Sequence, residues 1–162
     1  MKKIAVILAL AAGLLIINTS ANAQSMGSSY RTALGVKFWP GGITIKHFVR
    51  ENRALEGIGY FWGHGFRFTG LYEVHGDING APGLKWYVGP GAHIGQWTKG
   101  YWRNDHYYDD GYASFGIDGV LGLDYKLKGA PIALSLDINP YVEFLHGAYV
   151  DVWGGLGVKF TF

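Results

Sequence analysis

YVDVWGGLGVKFTF, residues 149–162, alternates in character almost residue by residue. Val150, Val152, Leu156, Val158, Phe160 and Phe162 occupy the even positions, whereas Tyr149, Asp151, Trp153, Lys159 and Thr161 occupy the odd ones. Successive side chains of an extended chain point to opposite faces, so this spacing predicts a strand with one greasy face and one wet face. A helix would need apolar residues at i, i+3, i+4 and i+7, a pattern that no stretch after residue 23 holds over several turns.

The same period of two recurs upstream. Ile132, Leu134, Leu136, Ile138, Val142 and Phe144 stand against Ser135, Asp137, Asn139, Tyr141 and Glu143, and Phe115, Ile117, Leu121, Leu123, Tyr125 and Leu127 against Ser114, Asp118, Asp124 and Lys126. Leu84, Trp86, Val88, Ala92 and Ile94 oppose Lys85, Tyr87 and His93, while Phe66, Phe68, Tyr72 and Val74 oppose Arg67, Thr69, Glu73 and His75. Leu34, Val36 and Phe38 oppose Arg31 and Lys37, and Ile43, Ile45 and Val49 oppose Lys46 and Arg50. Gly57 and Gly59 blur the phase of Ala54 to Phe61, whose Glu56 is assigned to the polar face.

Eight strands result, with turn chemistry at Pro40–Gly42, Glu51–Arg53, Trp62–His64, Gly76–Gly83, Lys128–Pro131 and His146–Gly147. One long connection runs from Thr98 to Gly111. The expected fold is all-β: an eight-stranded antiparallel up-and-down transmembrane β-barrel, closed by pairing the first strand with the last so that no edge remains. A sandwich, the alternative, needs long crossovers that the spacing does not offer.

Residues 1–23 read as an address. Met1-Lys2-Lys3 is a positive lead, Ile4 to Ile17 an apolar run, and Ala21-Asn22-Ala23 a small-x-small cleavage signal, which together predict a secretory signal peptide cut after Ala23 and a mature barrel of residues 24–162. The apolar run is shorter than the ~20 residues of a spanning helix. Without Lys2 and Lys3 the chain holds 12 basic against 12 acidic residues, and this neutral balance argues against a nucleic-acid partner. Absence of Cys excludes a thiol enzyme, a disulfide scaffold and a lipid-anchored lipoprotein.

Alternation is symmetric between a soluble lipocalin-like carrier, apolar inside, and an outer-membrane barrel, apolar outside. Room breaks the symmetry. An eight-stranded barrel has an interior only wide enough for side chains, and the greasy face, with Trp86, Phe66, Phe68, Phe115, Tyr125, Phe144 and Phe160, would overfill it. The wet face carries Arg31, Lys37, Lys46, Arg50, Arg67, Lys85, Lys126 and Lys159 against Glu56, Glu73, Asp118, Asp124, Asp137, Glu143 and Asp151. Such near balance suits a lumen plugged by ion pairs, where an unpaired charge would be costly. Trp39, Tyr60, Trp62, Trp97, Tyr112 and Tyr149, close to strand ends, are expected to form interfacial girdles against outer-membrane lipid.

The chain ends Gly157-Val158-Lys159-Phe160-Thr161-Phe162, a glycine followed by aromatic-x-aromatic at the terminus. This resembles the C-terminal signal of Gram-negative outer-membrane barrels, and the size and layout of the mature chain resemble the small eight-stranded family of the outer-membrane protein A transmembrane domain and the opacity-type proteins. The resemblance implies placement in the cell outer membrane and recognition of Gly157, Phe160 and Phe162 by the barrel-assembly machinery. Gly155 stands where that signal usually has a polar residue.

An even strand count puts both ends of the mature chain on one side, in the periplasm, and the long loop on the cell surface. Tyr101, Trp102, Arg103, Asp105, His106, Tyr107 and Tyr108 mix aromatic and polar groups as recognition loops do, although a solvated loop resting its rings on the membrane interface has the same composition. Asp105, His106, Asp109 and Asp110 follow no fixed metal-binding spacing. Small outer-membrane enzymes that edit lipid A use a Ser and a His, but Ser114, Ser135, Ser25, Ser28 and Ser29 sit in no hydrolase motif, so neither catalysis nor a cofactor is expected. A structural or surface-interaction barrel is the leading expectation; a lipid A-modifying enzyme, a narrow pore and a soluble carrier are the alternatives.

Overall fold

The computed structural model describes residues 30–98, 101–103, 106–108, 111–145 and 148–162. Eight strands form its wall: β1 (Thr32–Phe38), β2 (Gly42–Arg50), β3 (Arg53–Trp62), β4 (Gly65–Asp77), β5 (Leu84–Trp97), β8 (Tyr112–Lys126), β9 (Ile132–Glu143) and β10 (Tyr149–Thr161). Every neighbouring pair is antiparallel, and the sheet closes on itself in the order β1-β10-β9-β8-β5-β4-β3-β2. The closure sets Leu34 opposite Phe160 and Val36 opposite Val158. Thr32 N–H donates to Phe162 O at 2.9 Å and Phe162 N–H to Thr32 O at 2.9 Å, so the ladder leaves no open edge. The long connection is more structured than its composition suggested: β6 (Tyr101–Arg103) and β7 (His106–Tyr108) pair with each other as a separate two-stranded hairpin.

The alternation read from the sequence is the alternation of burial. Along β9, Ala133, Ser135, Asp137, Asn139, Tyr141 and Glu143 are buried, while Leu136 is 58% exposed and Ile138 51%. On β10, Lys159 is 1% exposed and its neighbour Phe160 54%. Outward-facing Ile43, Ile45, Leu55, Phe61, Phe68, Ile94, Ile117, Leu121, Val152 and Leu156 extend the greasy wall round the barrel. A protein folded for water hides such groups and exposes its charges; here the two are exchanged.

Several aromatic rings differ from expectation. Tyr60 and Trp97 are buried, and Trp62 packs edge-on to Trp153 at 5.5 Å and tilted against Trp97 at 4.9 Å, so these three fill one end of the interior instead of a girdle. Tyr149, half-buried, has its ring edge-on to that of Tyr141 at 6.3 Å. Trp39 is 84% exposed in the β1–β2 turn, and the side chain of Tyr112 lies outside the described residues. Parity explains the inward set: Tyr60 and Trp62 share the phase of Glu56, and Trp97 that of His93. Room comes from glycine. A Cβ on Gly122 would lie 2.5 Å from Tyr87 Cζ, and one on Gly116 would lie 2.5 Å from His93 Cε1, so both rings occupy space that any other residue would take.

Candidate functional site: the charged lumen

Strand register brings the inward groups together in two clusters. In the half nearer the chain termini, Lys46 on β2 reaches Glu73 Oε2 at 2.7 Å, Glu56 Oε2 at 3.0 Å and Asp124 Oδ2 at 3.7 Å, with its Nζ 4.1 Å from the centre of the Tyr87 ring. Glu56 also faces Lys159 Nζ at 3.2 Å and accepts from the Thr44 hydroxyl. Lys37 donates to Asp137 at 2.7 Å, and Tyr87 Oη donates to the other oxygen of the same carboxylate at 2.7 Å. His75 lies 2.9 Å from Glu73 and stacks on Tyr87. Beneath this layer, Tyr30 donates to Asp124 at 2.9 Å and packs with Phe48, Ala33, Ala54 and Ala133 into a small apolar floor.

The second cluster lies toward the loop-bearing end, beyond Ile58, Leu71 and Val120. Arg67 pairs with Asp118, and its guanidinium sits 4.1 Å from the centre of the Tyr141 ring and 4.4 Å from that of Trp153. His93 Nδ1 is 2.8 Å from Asp118 Oδ2, and His93 Nε2 is 3.3 Å from Glu143 Oε2. Glu143 accepts further from the Ser114 hydroxyl at 2.6 Å and from the Phe115 N–H at 2.7 Å. Ser, His and two carboxylates are thus adjacent, but in an order unlike a nucleophile and its base: both His93 nitrogens face carboxylates, and the serine proton goes to Glu143. All four side chains are buried.

Of the charged residues expected in the lumen, Lys37, Lys46, Arg67, Glu73, Asp118, Asp124, Asp137, Glu143 and Lys159 are buried there. Three stand elsewhere. Arg31 is exposed ahead of β1, Lys85 pairs with the exposed Asp77 at the termini-bearing rim at 2.7 Å, and Asp151 is half-buried near the loop-bearing end, accepting from Tyr141 Oη at 3.3 Å. Arg50 is exposed as well, and Lys126 spends its ammonium on the Leu127 and Ala130 carbonyls of a rim turn. Long basic stems near a rim carry their heads out of the lumen, to water or to partners at the rim, so the near balance of eight cations and seven carboxylates does not survive into the interior. Among the described residues the buried cations are Lys37, Lys46, Arg67 and Lys159, and the buried carboxylates are Glu56, Glu73, Asp118, Asp124, Asp137 and Glu143.

Glu56, His75, His93, Thr44, Ser114 and the rings of Tyr87, Tyr141 and Trp153 complete the two clusters; all share the phase of the charged residues on their strands, the one signal that marked them in sequence. Asp105, Asp109 and Asp110 lie outside the described residues, and for Tyr101, Trp102, Arg103, His106, Tyr107 and Tyr108 the backbone hairpin is what is seen. Among the described residues no group of three or more His, Asp and Glu is arranged to hold a metal ion. Gly157 lies opposite Ser135, with the Ser135 hydroxyl filling the place of a Cβ, and Phe160 and Phe162 face outward.

No family model matches the chain, and no curated protein does. Among solved structures it is similar to the N-terminal β-barrel domain of Pseudomonas aeruginosa OprF, with a TM-score of 0.60 and 20% sequence identity over 81% of this chain and 95% of that one. The likeness lies in the eight-stranded barrel itself.

Proposed function

We propose that this chain is an integral outer-membrane β-barrel with a structural or surface-interaction role. One observation carries the reading: the exchange of faces, with Lys46, Lys159, Glu56 and Glu73 at 1% exposure or less while Leu136, Ile94 and Phe160 stand more than half exposed. In a hydrocarbon surrounding that exchange is favourable, and the closed ladder satisfies the backbone polar groups internally. On this reading residues 1–23 are the export signal, both ends of the mature chain face the periplasm, and residues 98–111 are at the cell surface, where the β6–β7 hairpin presents Tyr101 to Tyr108 as the recognition element. Gly157, Phe160 and Phe162 serve the barrel-assembly machinery.

The interlocked pairs of the lumen support a plugged interior over a pore, because each charge would have to leave a partner before water or ions could pass. Catalysis is disfavoured by the engagement of both His93 nitrogens. Fractionation of expressing cells tests the central claim: the protein should stay with outer membranes after carbonate washing and enter solution only with detergent, and release without detergent would refute it. Planar-bilayer recording of the purified barrel should show no steady conductance, and lipid A mass spectra should be the same with and without the protein. A stable channel or a modified lipid A would replace the plugged, non-enzymatic reading.

A further inference from the structure

The outer wall has a gap in its side chains. Register aligns Ile45, Gly57, Gly70 and Ala92 in one row across β2 to β5. From Gly57 to Ala92 nothing larger than a methyl group projects, which leaves a trough about 10 Å wide at the usual strand spacing. A Cβ built on Gly70 would meet nothing within 4 Å, and one on Gly57 would touch only Ile45. Phe61 and Phe68 wall the trough toward the loop-bearing end, and the cavity measures about 590 Å³.

Toward the termini the trough is closed by one row of larger side chains, and a pair of cations stands beyond it. Leu55 and Tyr72 form the next row, and Arg53 the row after it, about 13 Å along β3 from Gly57. Arg53 Nη1 donates to Tyr72 Oη at 3.3 Å, so the guanidinium leans back along the wall toward the trough. Arg50 is the register partner of Arg53 across the β2–β3 turn. Both are exposed, neither makes an ion pair among the described residues, and Glu51 of the same turn is the acidic group nearest in sequence. Two like charges set opposite each other across a hairpin are unfavourable unless an anion lies between them.

We propose that this wall binds an anionic glycerophospholipid of the leaflet at the termini-bearing rim, its phosphate held by Arg50 and Arg53 and an acyl chain laid over the Gly57–Gly70–Ala92 row. The inference rests on the membrane reading above. Planar guanidinium groups pair well with phosphate oxygens. A headgroup at the arginine row puts the acyl chain over the trough, which separates this site from a merely basic rim. The alternative occupant, a second copy of the chain, would need apolar wall against apolar wall and gives the arginines no anion.

The test uses the mature chain folded into nanodiscs of equal parts phosphatidylethanolamine and phosphatidylglycerol, followed by mild detergent release and native mass spectrometry of the lipids that stay bound. At about fivefold per arginine, the wild type should retain phosphatidylglycerol over phosphatidylethanolamine by about twenty-five-fold. Arg50→Gln with Arg53→Gln should abolish the preference, Lys128→Gln in the β8–β9 turn should leave it intact, and Gly70→Leu, which enters open space, should lower retention of both lipids. Equal retention of the two lipids by the wild type, an undiminished preference in the double variant, an equal loss in Lys128→Gln, or unchanged retention in Gly70→Leu would each overturn the proposal. So would a discrete dimer that Gly70→Leu dissociates. Heat-modifiable migration of each sample separates the two levels: a wild type that never inserts sinks the membrane reading, whereas one that inserts without selecting lipid sinks this inference alone.

Discussion

Replacing Lys46 by Met removes the charge on which the larger lumenal cluster converges. Its ammonium lies 2.7, 3.0 and 3.7 Å from Glu73, Glu56 and Asp124. At an effective dielectric of about 20, each such contact is worth about 5 kcal/mol of gross attraction. Desolvation of the buried groups offsets most of this, and the net cost of breaking a buried pair by deleting one partner is about 3–5 kcal/mol. Loss of the Tyr87 cation–π contact adds about 1 kcal/mol, and the fit of the Met stem returns part of it. We expect Lys46→Met to lower stability by about 4 kcal/mol, which at about 2 kcal/mol/M moves the urea midpoint down by about 2 M. Tryptophan fluorescence of the barrel in phosphatidylcholine vesicles, titrated with urea in both directions, reads the shift. Adding Glu73→Gln should return about 1–2 kcal/mol, because one of the abandoned carboxylates is then neutral. A single-variant loss below about 1 kcal/mol, or no recovery in the double variant, would refute the view that the lumen is held by mutually compensating charges.

Three further outcomes follow from the same geometry. Gly122→Ala, which drives a methyl group into Tyr87 Cζ, should cost about 1–3 kcal/mol in the same titration, while Gly70→Ala, facing open space, should stay within about 0.5 kcal/mol of wild type. Leu136→Arg, on the outer face of β9, should destabilise the vesicle-inserted barrel by about 2–4 kcal/mol; a neutral result would mean that no lipid covers that wall. Phe162→Ala should reduce the amount of folded barrel in outer membranes, scored by heat-modifiable migration, yet change refolding into vesicles in vitro little, since the ring is half exposed; an equal defect in both assays would make the residue structural instead of an assembly signal.

Parity did most of the work at the level of sequence. It put Ser135, Asp137 and Glu143 on the buried side of β9, whereas Glu56, where Gly57 and Gly59 blur the phase, is assigned inward by analogy with neighbouring segments and is buried. Applied with equal strictness to Trp62 and Trp97 it would have sent them inward too; proximity to strand ends suggested a girdle instead, and the packing of both against one another at 4.9 Å corrects it. Arg31 and Lys85 show the limit of parity from the other side. They have the lumenal phase, but at a rim a long stem can leave the lumen whatever the pleat: Arg31 is exposed and Lys85 reaches Asp77.

The linear order of residues determined the strands, their two faces, the turns and the closed eight-stranded architecture, because each of these depends on a local period of two and on chain punctuation. Partnership depended on the closed wall. Lys37 and Asp137 are far apart along the chain and 2.7 Å apart in space, and Ser114, His93, Asp118 and Glu143 meet through the register of β5, β8 and β9. Which cation finds which carboxylate is set by the stagger of neighbouring strands, and stagger is a property of the hydrogen-bonded sheet that alternation leaves open. The row of small residues on the outer wall is of the same kind: Gly57, Gly70 and Ala92 become one trough only when three strands lie side by side.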